Sequence, residues 1–207
     1  MSFNQPKGHK NTIMRTARFY SVILLAVLTL VSCKKDDNNE PEPQTLTITA
    51  SNIQVPEGVQ IDEVWLMVVS YDYGDVPVAK VPFQNNGFSI SFPNNVDSKY
   101  MESADDWWIP KVDPSIYLTT SVYVIAAYQG SVIGTIQLIS NSNTTIVTYM
   151  FATAPFTVTG TASGYVYHID MKAGWNQYAI VKLEGGIDDY TSTIPVGLTW
   201  RFSQIHY

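Results

Sequence analysis

The chain has 207 residues, 45% of them apolar and 14% charged, with a net charge of −6. That length is enough to bury a sizeable core in one domain, and the acidic balance excludes the basic surface a nucleic-acid partner needs. The one cysteine, Cys33, has no partner for an internal disulfide, which also excludes dithiol redox chemistry.

Residues 19–31 are thirteen uncharged, mostly apolar positions preceded by Lys10, Arg15 and Arg18. A bilayer span needs about twenty apolar residues, so the run is too short to stay in the membrane. A basic flank before a short apolar core is the pattern of a secretory signal peptide. Met14, followed by Arg15-Thr-Ala-Arg18, makes a more compact start than Met1. Residues 1–13 are then either an over-extended start or a long basic region.

The apolar run ends in Leu30-Val31-Ser32-Cys33. This resembles the lipobox of bacterial lipoproteins, in which a small residue before the cysteine permits cleavage. The resemblance implies removal of residues 1–32 and acylation of Cys33 on its thiol and its new amine, palmitate being the type of chain added. Each buried methylene contributes roughly 0.8 kcal/mol to membrane attachment, so several chains hold firmly. The alternative is a buried structural cysteine after a plain signal peptide.

Residues 33–44 are rich in Lys, Asp, Asn, Glu and Pro and offer nothing for a core, which predicts a disordered tether. Fully extended, residues 34–44 reach roughly 35–40 Å. Lys35-Asp36-Asp37 resembles the surface-export signal of some Gram-negative lipoproteins, implying an outer-membrane anchor facing the cell exterior; a generic solvated spacer is the alternative. Cleavage removes 4 of the 12 basic residues and none of the 18 acidic ones, leaving 175 residues with a net charge of −10.

Residues 45–207 read as β throughout. No window keeps the i, i+3, i+4, i+7 spacing of a helix for three turns, and alternation is common. Leu46, Ile48 and Ala50 point inward with threonines between them. The parity flips at Ile53 and Val55, which predicts a bulge near Ser51-Asn52. Residues 63–71 are apolar on both faces, as in a central strand. Residues 76–83 contain Pro77 and Pro82, which confine them to a sheet edge. Asn85-Asn86-Gly87 is a hairpin-type turn before the alternation of Phe88, Ile90 and Phe92.

Residues 116–129 and 131–140 read as two long strands joined at Gly130, and Asn141-Ser142-Asn143 begins another turn before 144–151. Phe156 and Val158 face one way in 155–162. Tyr165, Tyr167, Ile169 and Met171 share one face, with Val166, His168 and Asp170 on the other. Residues 172–176 read as a turn, followed by strands at 177–184 and 197–202. About ten strands with frequent turns predict an all-β fold, an antiparallel β-sandwich of immunoglobulin-like or related type.

Phe156-Thr-Val-Thr-Gly160, Tyr167-His-Ile-Asp-Met171 with Gly174-Trp175-Asn176, and Thr191-Ser-Thr-Ile-Pro195 before Gly197-Leu-Thr-Trp200 resemble uncharacterised surface lipoproteins with β-sandwich domains. That family supplies no catalytic residues to carry over. In this chain, Trp175 is expected to fold back over the core.

Catalytic patterns are weak. His168 and Asp170 share a strand face, but two ligands make a poor metal site, and a solvated face explains them. No Gly-x-Ser-x-Gly elbow exists for a hydrolase triad. Asp72, Asp75, Asp105, Asp106, Asp188 and Asp189 all read as loop acids, a setting in which carboxylates are ordinarily just solvated rather than paired for glycoside cleavage. The oxygens of Asp72-Tyr-Gly-Asp75 are too few for a dedicated Ca²⁺ loop.

The most informative stretch is 93–115, which shows no strand alternation beyond a short helical turn expected within 98–108. A loop this long is usually functional or disordered, and its aromatics argue against disorder. Tyr100, Asp105, Asp106, Trp107 and Trp108 form the candidate ligand-binding set. Aromatic rings stack on the C–H faces of a sugar while carboxylates accept its hydroxyl hydrogens. The competing reading is that both indoles cover an open end of the sandwich. The expected protein is a lipid-anchored, non-catalytic binding module without cofactor or metal, its partners being the membrane and either a polysaccharide or a surface protein. The alternative is a structural or adhesion subunit of a surface assembly recruited through a sheet edge.

Overall fold

The computed structural model describes residues 45–70, 72–104, 112–119 and 121–205, within one compact unit spanning Pro41–Tyr207. Residues 1–44, expected to form a signal peptide and a tether and including Cys33, Lys35, Asp36 and Asp37, lie outside the described residues.

The fold is all-β and sandwich-like, with fourteen strands among the described residues rather than about ten. In chain order they are β1 (Thr47–Ala50), β2 (Glu63–Ser70), β3 (Gly74–Pro82), β4 (Phe88–Ser91), β5 (Met101–Ser103), β6 (Tyr117–Thr119), β7 (Ser121–Tyr128), β8 (Ser131–Ile139), β9 (Thr145–Ala152), β10 (Phe156–Ala162), β11 (Tyr165–Met171), β12 (Gly174–Lys182), β13 (Asp188–Thr191) and β14 (Thr199–Gln204). The main sheet runs β10-β11-β13-β12-β9-β8-β7-β2-β3, and β1 and β4 form a separate two-stranded sheet.

The small sheet packs on one face of the large one. Ile48, Ala50, Phe88, Ile90 and Phe92 from β1, β4 and the residue after β4 meet Val64, Leu66, Val68, Val122, Val124, Val147, Phe151 and Trp175 in the first core. Alternation explains the outer side, where Thr47 and Ser91 hydroxyls pair at 2.9 Å and those of Thr49 and Ser89 at 3.0 Å. The predicted irregularity after β1 is a strand end rather than a bulge. Asn52 takes a positive φ of 58°, and the Ile53 amide donates to the Asn86 carbonyl at 2.9 Å. Asn85 and Asn86 both take φ above 50°, the pairing a tight hairpin turn requires. Gly87 follows because a Cβ there would collide with the Ala50 carbonyl.

Trp175 anchors this core. It is 1% exposed, packs edge-on against Phe92 and Phe151, and its indole N–H donates to the Pro93 carbonyl at 2.6 Å. Its placement over the core agrees with expectation, but Gly174, Trp175 and Asn176 are strand rather than turn residues. Gly174 pairs with Ala152 and the ladder runs on to Val181 opposite Thr145. The buried Asn176 amide replaces a longer turn: it donates to the Lys172 and Gly174 carbonyls and accepts from the Lys172 amide.

A second core lies on the opposite face, built from Leu118, Met150, Phe156, Val158, Tyr167, Ile169, Met171, Tyr178 and Tyr190. Four tyrosines cluster here, with Tyr167 and Tyr190 stacked at 5.7 Å and Tyr165 edge-on to Tyr190 at 5.6 Å. Tyr190 sits on β13, a strand hidden from sequence reasoning because Asp188-Asp189 resembles a loop. β13 is wedged between β11 and β12, running parallel to β11 and antiparallel to β12, so one pair in the sheet departs from the expected antiparallel pattern. Nor is 116–129 one strand, since β6 pairs with β5 and β9 while β7 pairs with β2 and β8.

β8 is the corner strand. Ser131 to Thr135 pair with β7, Leu138 and Ile139 pair with β9, and Gly134 to Ile139 pair with β14. One edge of β8 therefore holds β14 while β7 and β9 share the other. A strand that changes partners this way links two layers of a sandwich. The close fit of β14 depends on Gly134, where a Cβ would strike the Phe202 ring and the Ser203 carbonyl.

Candidate functional site

Of the predicted ligand-binding residues, Tyr100 is described; Asp105, Asp106, Trp107 and Trp108 lie outside the described residues. The stretch around them is more ordered than alternation implied. Ser98–Tyr100 form one 3₁₀ turn, capped by Asp97, whose carboxylate accepts from the Lys99 amide at 3.2 Å. This 3₁₀ turn ends at Tyr100; of the stretch expected to hold a helical turn, residues 105–108 lie outside the described residues. Met101 to Ser103 then pair with Tyr117 to Thr119 as the β5–β6 hairpin. Such short, half-buried strands carry too few alternations to be read from sequence.

Tyr100 is half-buried against the first core and stands edge-on to Tyr73 at 6.0 Å. Tyr73 is 60% exposed at the β2–β3 turn. The Lys99 ammonium lies 4.8 Å from the Tyr100 ring centre and 3.0 Å from the Asp97 carboxylate. The hydrogen bond from Lys99 holds Asp97 below the usual carboxylate range, and the same bond raises Lys99. The result is a small aromatic surface with one cation and one carboxylate held in fixed relation.

The other candidate acids are not all loop residues. Asp75 lies in β3, and Asp188 and Asp189 lie in β13; Asp72 sits in the exposed β2–β3 turn. Asp188 accepts from Lys182 at 3.0 Å, an exposed cross-strand pair worth little in water. His168 places Nδ1 3.1 Å from Asp189 Oδ1 on a solvated face, while Asp170 accepts from the Thr157 hydroxyl at 2.9 Å. His206 lies outside the described residues. Among the described residues no three His, Cys, Asp or Glu side chains gather as metal ligands.

Sequence reasoning missed a cleft of about 300 Å³ beside the corner strand. The β7–β8 ladder stops at Ile125 opposite Thr135, and the β8–β9 ladder begins at Leu138 opposite Val147. Between these points the strands splay. Tyr123, Gln137, Thr148, Tyr178 and Tyr190 line the opening, and Tyr149 lines it as well. Burial pushes the Tyr178 hydroxyl well above its ordinary value, and Tyr190 is pushed up to about 12, chiefly by burial and then by the Asp188 charge. The only sequence signal was an excess of tyrosine; which tyrosines converge depends on where β8 leaves its neighbours.

Comparisons with protein-family models, with curated proteins and with solved structures return no match for this chain.

Proposed function

We propose that the chain is a lipid-anchored, non-catalytic binding module at the outer face of the outer membrane, with a glycan as its ligand. The sequence of residues 14–37 supports the anchor and its direction. The pair of exposed Tyr73 and half-buried Tyr100, with Asp97 and Lys99 beside it, carries the glycan reading. Rings presented edge to face offer a sugar an apolar surface, and a carboxylate next to an ammonium supplies both hydrogen-bond acceptor and donor for its hydroxyls. Trp107 and Trp108, the other rings of the expected binding set, follow Tyr100 by seven and eight residues in the sequence. Metabolic labelling with palmitate, compared between wild type and Cys33→Ala, tests the anchor. Titration of the protein with polysaccharides, alongside Tyr73→Ala and Trp107→Ala/Trp108→Ala, tests the ligand; binding that survives both changes rejects this surface.

A second reading, assembly through a sheet edge, has its own support. β10 pairs with β11 alone among the described residues and contains no proline and no charge from Phe156 to Ala162. A groove of about 280 Å³ follows it. Two copies set antiparallel about Thr159 would match Thr157 with Thr161, Val158 with Gly160 and Phe156 with Ala162, placing large side chains opposite small ones. Sedimentation of wild type and Thr159→Lys at several concentrations tests it: association lost in the variant supports the edge, and a monomer throughout removes it.

A further inference from the structure

The cleft beside the corner strand has the chemistry of a site in its own right. None of its lining residues is charged: Ser121, Tyr123, Thr135, Gln137 and Thr148 provide hydroxyl and amide groups, Tyr178 and Tyr190 provide rings, and Val122, Val124, Ile136, Leu138, Val147 and Trp200 supply the apolar part. This arises from the strand pairing. β7 and β9 share one edge of β8, but the described ladders skip Ile136 and Gln137. The opening therefore passes between strands and reaches side chains of both faces. Those of the first core are Val122, Val124, Ile136, Val147 and Tyr149, and Tyr178 and Tyr190 belong to the second.

Tyr149 supplies an independent observation. It is 4% exposed, lines the cleft, and its buried hydroxyl has no hydrogen-bond partner among the described residues. A buried hydroxyl left unpaired keeps the full cost of losing its water, and such groups in folded proteins ordinarily have a protein, water or ligand partner. Tyr123, by contrast, is 46% exposed at the cleft, an aromatic side chain over which a ring can settle.

We propose that this cleft binds one neutral, polyhydroxylated ring, a single pyranose residue or the end of a glycan chain, with Tyr123 stacking on its C–H face and Gln137, Thr148 and Tyr149 meeting its hydroxyls. An uncharged lining disfavours a phosphate, carboxylate or metal ion, because an ion would lose its hydration without gaining a counter-charge. Rings and hydroxyls together suit a ligand with one apolar face and a polar rim. The site differs from the Tyr73–Tyr100 surface, so the two stand or fall separately.

The test uses the full-length protein and titration calorimetry with glucose, galactose, N-acetylglucosamine and glucuronate. The expected result is saturable binding of at least one neutral sugar, with weaker or no binding of glucuronate. Tyr123→Ala, Gln137→Leu and Tyr149→Phe should each weaken it by about tenfold, the worth of one neutral hydrogen bond or stacked contact. Tyr123 and Gln137 are not fully buried, and circular dichroism would check that their variants fold. Tyr73→Ala should leave this binding unchanged. Binding lost in Tyr73→Ala but kept in the three cleft variants would overturn the proposal while supporting the aromatic surface. No binding of any neutral sugar, or preference for glucuronate, would overturn it outright.

Discussion

The two cores on opposite faces of the main sheet are built from different materials. The first is largely aliphatic, sealed by the β1–β4 sheet and by Trp200 and Phe202, with Trp175 at its centre and its indole N–H satisfied. The second is rich in tyrosine, with Tyr165, Tyr167, Tyr178 and Tyr190 in mutual ring contact. An aliphatic core gains most from exclusion of water. A tyrosine core keeps polar ends that need water, protein or ligand, and so sits well beside an opening. The first core secures the sandwich, and the second supplies a surface with chemistry.

The sharpest test of that contrast is Trp175→Ala, which removes the largest fully buried side chain. It should cost about 3–5 kcal/mol, read from the shift of the urea midpoint. Met171→Ala, 1% exposed in the second core, should cost about 2–5 kcal/mol, at the lower end if the tyrosines can repack. If Met171→Ala proves the more damaging, the ranking of the two cores is wrong.

Alkali should probe the buried tyrosines of both cores without mutation. Folding raises the pKa of Tyr149, Tyr178 and Tyr190, largely through burial. A pKa higher in the folded state means that stability is intact below the ordinary tyrosine value near 10 and falls as pH rises toward 12 and beyond. Absorbance of tyrosinate near 295 nm should therefore rise in more than one step, with Tyr149, Tyr178 and Tyr190 ionising late, as the protein unfolds. A single step near pH 10 would contradict the burial described.

The smallest effect is expected from Tyr149→Phe. Removing an unpaired buried hydroxyl should leave stability unchanged or raise it by about 1 kcal/mol. A loss of more than that would mean that the hydroxyl has a protein partner, and the border between the cores would need redrawing.

How far the fold could be read from sequence follows the same division. The first core was legible because its residues alternate cleanly on Leu46-Ile48-Ala50 and Phe88-Ile90-Phe92, and because β2 is apolar on both faces. The edge position of β3 was legible from Pro77 and Pro82. β13 was not, because Asp188, Asp189 and Thr191 carry no apolar pattern and the strand is held by neighbours far away in sequence. The cleft was not legible either, since no local signal marks where a strand abandons one partner for another. Tyr100 was singled out for its neighbourhood in sequence, and its contact with Tyr73 came from pairing of β2 with β3.

The corner strand also sets an order of events. Gly134 pairs with Gln204, and Ile139 with Thr199, so β8 waits for a partner some sixty to seventy residues further along the chain. Contacts of such long sequence separation are slow to form. Until β14 arrives, β8 presents an open strand edge, the kind of surface that invites pairing with another chain. The last strand therefore acts as a closing seam. A chain synthesised or exported without it would leave its most vulnerable edge uncovered, while everything up to β13 has already been made.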